Sequence, residues 1–504
     1  MEDSEKNSEN KINHCLFNEE VEVPEFSKFK STLAQFFAAL AFGSLFLDVG
    51  MFLALPTIVI AALQNPENKS FVMTREQASW FGSIFFVAQP LGCIISGLIQ
   101  DSRGRKFCML LINLPWVAGI MLIYCSKSII ELYLAGTLIG FGIGIMEAPM
   151  FSYIGESIQP QLRGILSSMA GAMLNLGFII EYFLGAIMNW RSAIIITSFF
   201  PVVSFLLILL IPESPIWLVS KGRVRDAEKS LCWLRGWTSP RHVQTELAAS
   251  IDHLELNRKE RVRKMSIMMV EYHKILPSDI VENQQVQKEI SLLHRFEVFL
   301  QPQVMKPLRL IIFYFFVSHC IGLTAMRPFY VSIFNRMNLP LTAHWVTVFC
   351  GSIQLLGSIT CIAALPKLGK RKLTNVSLVP MILSCASLGL YTLLKLDVKW
   401  VPLTLFGVHL FSYTLGIGRI PWILMSELFP LEAKGLGVGF CAAASYFIWF
   451  FITKTYLNLE DFLSLPGVFF LYSSIGIIGA VYFYLKLPET EGKTLHEIHL
   501  HFMR

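Results

Sequence analysis

An all-α membrane protein, with twelve transmembrane helices in two pseudo-symmetric six-helix bundles, is the fold class that three observations predict. Hydrophobic residues make up 54% of the 504 positions and charged residues only 15%. Soluble domains carry about 25% charged residues, so a water-facing surface cannot be assembled from this composition. The apolar residues also come in runs, and a bilayer core takes about 20 apolar residues of helix. Third, short polar motifs at the ends of those runs recur in both halves of the chain. Lipid leaves backbone N–H and C=O groups without partners, so a spanning segment is a helix or part of a closed barrel. Barrel strands alternate in polarity, and these runs do not.

In chain order the runs place spans near 33–63, 79–100, 107–126, 130–156, 164–187 and 191–211, then 308–336, 342–365, 374–395, 400–428, 436–457 and 467–487. Lys and Arg gather in alternate connections: Arg103, Arg105 and Lys106; Arg163; Lys221, Arg223, Arg225, Lys229 and Arg235; Lys367, Lys370, Arg371 and Lys372; Lys434. The positive-inside rule assigns that side, and both termini, to the cytosol. The expected layout is a cytosolic tail at 1–30, a six-helix bundle at 31–211, a cytosolic helical linker at 212–306, a second bundle at 307–487 and a cytosolic tail at 488–504. A multi-pass plasma-membrane protein is expected. Met1–Lys30 has no apolar stretch before a small-residue cleavage site, so no cleavable signal peptide is expected. Asn68-Lys69-Ser70 then falls in the first external loop, where Asn68 can accept a glycan. In the linker, Leu231, Trp233, Leu234 and Leu254 are spaced as on amphipathic helices lying against the membrane face. The ten cysteines are scattered, mostly within spans, without a CxxC pair; packing is their expected role.

The repeats sit at span ends on the basic side. Gly104-Arg105-Lys106 recurs as Gly369-Lys370-Arg371, Glu156…Arg163-Gly164 as Glu427…Lys434-Gly435, and Pro212-Glu213-Ser214 as Pro488-Glu489-Thr490. Their offsets, 265, 271 and 276 residues, nearly agree. Parallel repeats in a membrane protein imply two bundles with a solute site between them near mid-membrane. Acids and bases crowded at one face can tie the bundles together in one state and part in another. Exposed pairs are worth about 0–1 kcal/mol each, which suits contacts that break every cycle. Simple topological anchoring by positive charge is the competing role.

With these residues in view, the chain resembles the sugar porter branch of the major facilitator superfamily from Phe36 to Ile498. The motifs are Gly97-Leu98-Ile99-Gln100-Asp101-Ser102-Arg103-Gly104-Arg105-Lys106, Tyr153-Ile154-Gly155-Glu156, Trp190-Arg191, Pro212-Glu213-Ser214, Pro421-Trp422 with Ser426-Glu427-Leu428-Phe429-Pro430, and Pro488-Glu489-Thr490. Ser230–Trp237 and Ile452–Thr455 are similar to insect facilitated trehalose-transporter-like proteins. The resemblance implies the major facilitator fold and alternating access. It implies a cytosolic gate of Arg105, Glu156, Arg163 and Glu213 in one half and Lys370, Glu427, Lys434 and Glu489 in the other. It puts Gln354 and Trp422 at the solute site. Elsewhere the family's sugar-binding amides are replaced: Ser318, His319 and Thr324 in span seven, Gly171 in span five, Ser445 in span eleven. Ser102 stands for the usual Arg and Pro366 for the usual Asp.

Ionisable residues also lie inside spans: Asp48, Glu147 and Glu181 in the first half, His319, Arg327 and Arg419 in the second. Intramembrane charges usually face a cavity or a partner, so acid–base pairs across the interface, or a charged solute, are expected alongside fixed local ion pairs. Asp48-Val49-Gly50 resembles the Asp-x-Gly of proton-coupled sugar symporters, although no Arg stands near Gly136 to partner it. His319 alone is expected to make one hydrogen bond in a pocket. Trp422 is expected to wall the solute site because Pro421 breaks the helix beside it. Gly140, Gly142 and Gly144 lack a strand–turn–helix setting and read as close helix packing. The expected function is facilitative transport of a small polar solute, a sugar such as trehalose or a hexose or an altered solute. The alternatives are a non-transporting sensor and a proton symporter using Asp48. Nothing in the sequence suggests an enzyme, a cofactor, a metal site, a nucleic-acid partner or an obligate protein partner; the expected partners are the solute and the bilayer.

Overall fold

The computed structural model describes residues 28–64, 71–252, 254–256, 259, 263, 300–337, 339–429, 434–491 and 502. Asn68 and most of the two tails and of 253–299 lie outside them. Among the described residues, eleven helical segments are long and apolar enough to cross a bilayer. The last, Lys434–Lys486, has 53 residues and breaks at Ser464, where φ is 62°. At 1.5 Å per residue it would run to about 80 Å, against a hydrocarbon core of roughly 30 Å. It is therefore two spans, and the count is twelve.

The first six spans are Lys28–Leu63, Arg75–Arg103, Arg105–Cys125, Ile129–Ser157, Pro160–Ile187 and Trp190–Leu210. Span seven runs over Pro302–Arg336, span eight over Ala343–Leu368, span nine over Lys370–Leu393 and span ten over Trp400–Glu427. Several begin earlier than their apolar runs, because helix continues into the polar boundary that hydropathy does not register. Local chemistry fixes those starts. Thr74 and Gln77 form a reciprocal cap on span two, at 3.2 and 2.9 Å, and Ser128 with Glu131 does the same for span four.

Span four packs on span two through its glycines, as expected. A Cβ at Gly140 would lie 2.0 Å from the Phe85 carbonyl oxygen, and one at Gly144 2.1 Å from that of Gln89. Gly142 instead accommodates the Trp116 indole. Between the halves, Pro215–Ser220 and Val224–Leu234 form short helices around Trp217, Leu218, Ala227 and Leu231. Arg235 ties this group to the end of span four by a bond to the Ser157 carbonyl at 3.3 Å.

One large apolar cluster joins both sets of six spans, from Phe52, Phe81 and Trp116 to Phe329, Phe406 and Tyr456. A second, around Tyr314, Phe315, Met381 and Phe483, belongs mainly to the last six spans, with Phe86, Leu53 and Cys93 reaching it from the first six. The outer faces carry exposed Leu114, Phe199, Leu383 and Tyr484, the surface a lipid solvent selects.

Candidate functional site

The three repeated polar motifs fold into two copies of one cluster. Gly104 and Gly369 turn the chain between consecutive spans at φ of 102° and 74°, a region that favours glycine. Each turn opens a helix whose first amides point at a carboxylate. Arg105 and Lys106 donate backbone N–H bonds to Glu213 at 3.0 Å, and Lys370 and Arg371 donate theirs to Glu489 at 3.0 and 3.1 Å. A Cβ on Gly104 would fall 2.2 Å from Glu213 Oε2, and one on Gly369 2.6 Å from Glu489 Oε2. The basic side chains then reach the second acid. Arg105 pairs with Glu156 at 2.8 Å and Lys370 with Glu427 at 3.1 Å. A hydroxyl closes each ring, from Ser214 to Glu156 and from Thr490 to Glu427. Arg163 and Lys434 lie at helix starts, but their side chains fall outside the described residues.

These bonds run within each half. The sequence predicts clusters able to tie the bundles to each other; in this conformation each ties the span ends of its own six-helix set. The physical reason is separation: spans four and ten, which carry Glu156 and Glu427, share at most glancing contact among the described residues. Pro366, where the repeat would place a counterpart of Asp101, also leaves the second cluster without the Arg105–Asp101 contact seen at 3.7 Å in the first.

The opposite end is closed between the halves. Arg75 of span two binds Glu460 and Asp461 of span eleven at 2.9 Å each, and Arg336 of span seven binds Glu460 at 2.6 Å. Ser79 donates to the Lys454 carbonyl at 2.5 Å, and Thr57 to that of Arg327 at 2.8 Å. Trp80 and Phe86 pack on Phe450 and Trp449. The interface is thus tight at the end of the first loop, while spans four and ten share at most glancing contact among the described residues.

In the centre, spans seven and ten of the second half are interrupted. Span seven breaks after Ile321: Leu323 is left-handed at φ 52° and Thr324–Phe329 forms a 3-10 turn. Span ten passes through a π turn at Tyr413–Ile417 before resuming at Ile420. Broken helices at depth are tolerated where they line a cavity or are buried in protein. A small cavity between the halves is lined by Pro56, Phe86, Thr324, Arg327 and Trp449, among others.

The residues expected at the sugar site are largely engaged with one another. His319 Nε2 meets Ser445 Oγ at 2.9 Å, Ser318 donates to the Ile417 carbonyl at 3.1 Å, and Thr324 to that of His319 at 2.9 Å. His319 is stacked between Phe315 and Trp449. Trp422 is half-buried, edge-on to Phe315, and Gln354 is buried in span eight.

The intramembrane acids and bases do not pair. Asp48 accepts from Ser204 at 2.6 Å and Glu181 from Thr197 at 2.7 Å, both inside the first six spans. Glu147 crosses the interface, but to the Tyr446 hydroxyl, with the Cys93 thiol 3.8 Å away. Arg327 lies over the Phe178 ring at 4.2 Å. Arg419 reaches from span ten to the Gly171 carbonyl of span five and to Ser358 at 3.4 Å. Sequence reasoning missed Asn175 and Ser358, which bridge spans five and eight at 2.6 Å. The available signal was an amide one helical turn beyond Gly171, on the same face.

A family described as Sugar (and other) transporter matches residues 31–502. The chain is 28% identical over 480 residues to the facilitated trehalose transporter Tret1-2 homolog of Drosophila simulans, covering 94% of this chain and 92% of that one. Among solved structures, the proton:xylose symporter XylE bound to 6-bromo-6-deoxy-D-glucose aligns with a TM-score of 0.69 at 18% identity, over 94% of this chain and all of that one. The xylose transporter XylE from E. coli in a partially occluded inward open conformation aligns at 0.68 and 18%, over 91% and 99%. At these identities the structures share the fold.

Proposed function

We infer the function from one premise: this chain belongs to the sugar (and other) transporter family. It carries a small polar solute of the sugar class across a membrane by alternating access, without an energy-coupling ion. The observation that carries this reading is the asymmetry of the interface. Ion pairs and apolar contacts close the halves at the end of the first loop, while at the other spans four and ten share at most glancing contact among the described residues. A chain with two such ends, each able to close, exposes a central site to one side at a time. The halves are 31–211 and 307–487. The clusters around Glu156 and Glu427 are the cytosolic gate, closing when spans four and ten come together. The plasma membrane is the site of action, with both termini cytosolic and Asn68 available to a glycan outside.

Purified protein in liposomes tests this directly. Trehalose or a hexose, in neutral or acid-bearing form, is expected to enter saturably and to show counterflow; a folded protein that moves none of them rules the reading out. Coupling to protons has a separate check. Asp48 is buried, its bond runs to a serine, and its Oδ1 has no partner among the described residues. Asparagine keeps the Ser204 bond, so Asp48→Asn is expected to change uptake by less than about threefold, the scale of one neutral hydrogen bond. An inward proton gradient is expected to leave the rate unchanged. Acceleration by the gradient, abolished in Asp48→Asn, would establish symport instead.

A further inference from the structure

Between the halves stand two guanidinium groups, Arg327 and Arg419, neither of them paired with a carboxylate among the described residues. Arg327 stands at the break in span seven and Arg419 at the resumption of span ten, so the two interrupted helices deliver one cation each. Tyr413 links them: its ring fills the space beside Gly322 of span seven and Gly418 of span ten, and both arginines lie within electrostatic range of its phenol.

Arg327 is only 5% exposed, faces the cavity and the ring of Phe178, and its Nε has no hydrogen-bond partner among the described residues. Arg419 occupies the place a side chain at position 171 would take: a Cβ on Gly171 would lie 1.8 Å from its Nη1. It meets a carbonyl and a hydroxyl there, and no acid among the described residues. The three intramembrane acids of the first half, Asp48, Glu147 and Glu181, are held by Ser204, Tyr446 and Thr197. Buried cations without counter-charge are costly in a low-dielectric interior. An arrangement that keeps Arg327 buried and Arg419 half-buried between the halves, neither facing a carboxylate among the described residues, is stabilised when an anion arrives.

We propose that the solute site selects a polyhydroxy carboxylate, an acidic relative of a sugar, with Arg327 and Arg419 receiving its carboxylate. Guanidinium groups bind carboxylates through paired, charge-assisted bonds. Ser358, 3.4 Å from Arg419, its partner Asn175, and Gln354 one helical turn before Ser358 supply donors and acceptors for the hydroxyls. The exchange of sugar-binding amides for Gly171, Ser318 and His319 follows, because a charged group replaces several neutral contacts as the anchor.

This rests on the transport reading, and the test separates the two. D-Gluconate, D-glucose and trehalose are compared as substrates and competitors of the whole chain in liposomes. Gluconate is expected to enter saturably, to be favoured by an inside-positive potential, and to compete with any neutral sugar that moves. Arg327→Gln and Arg419→Gln are expected to lower gluconate uptake by about tenfold or more, the scale of one charge-assisted pair, with Arg419→Lys between them and the parent. Quenching of tryptophan fluorescence by gluconate in the purified parent protein gives a readout independent of folding in the variants. Uptake of glucose or trehalose with gluconate neither moving nor competing overturns the anion proposal and leaves transport standing. Failure of all three solutes overturns both.

Discussion

Glu213→Ala is expected to lower the thermal unfolding midpoint of the purified protein by many degrees and to abolish uptake, with Glu213→Gln far milder. One carboxylate accepts the backbone amides of Arg105, Lys106 and Ser214, at 3.0, 3.0 and 2.8 Å. Alanine leaves two donors at the start of span three and the Ser214 amide without that partner, each worth about 1–3 kcal/mol when buried. It also removes a negative charge from a helix N-terminus, worth about 0.3–1 kcal/mol. About 4 kcal/mol is a large share of a stability of about 5–15 kcal/mol.

Glutamine differs for a reason that the charge makes clear. Burial pushes the Glu213 carboxyl above the ordinary carboxylate value, against the downward pull of the amides of Ser214, Lys106 and Arg105. The folded state therefore holds the proton more tightly than the unfolded chain does, and this group's contribution falls as pH rises through the raised value. A neutral amide escapes that cost while its oxygen still accepts. Equal losses for Ala and Gln, or an unmoved midpoint, would refute the capping role. Glu489→Ala should repeat the result in the second half, since Glu489 caps Lys370 and Arg371 in the same way.

That duplication shows what could be read from the chain. The pairing of Gly104 with Gly369 and of Glu213 with Glu489 was visible as spacing, because a turn that needs positive φ and a helix start that needs an acceptor both constrain residue type. The spans were visible because lipid admits little besides apolar helix. The direction of each contact was not. Whether Glu156 faces its own half or the other depends on how far apart spans four and ten stand, which no local pattern encodes. The centre was legible only in part. The loss of an amide at Gly171 could be seen, but its meaning lay 248 positions away in Arg419. Likewise Glu147 invited a basic partner by charge alone, and the fold supplied Tyr446.

Glu460→Ala is expected to open the end that is now closed, and the contrast with its neighbour makes the test sharp. Glu460 is 4% exposed and carries contacts from Arg75 of one half and Arg336 of the other; Asp461 is 60% exposed and meets Arg75 alone. Breaking a fully buried pair costs about 3–5 kcal/mol. Both arginines here are half-exposed, which solvent screening cuts to about 1–2 kcal/mol. A bias of that size against the closed conformation changes the ratio of the two states by about 5- to 30-fold. Ser79→Cys provides the reporter, because Ser79 is buried and faces the Lys454 carbonyl across the interface. On a background lacking other reactive thiols, Glu460→Ala should raise its labelling by a membrane-impermeant maleimide about tenfold. Asp461→Ala should change it by less than about twofold, as expected of an exposed pair. Matching rates in the two variants would mean that apolar packing around Trp80, Phe86 and Trp449 holds this end without help from charge. In that case the latch is the aromatic contact, and Trp449→Ala should produce the opening that Glu460→Ala failed to give.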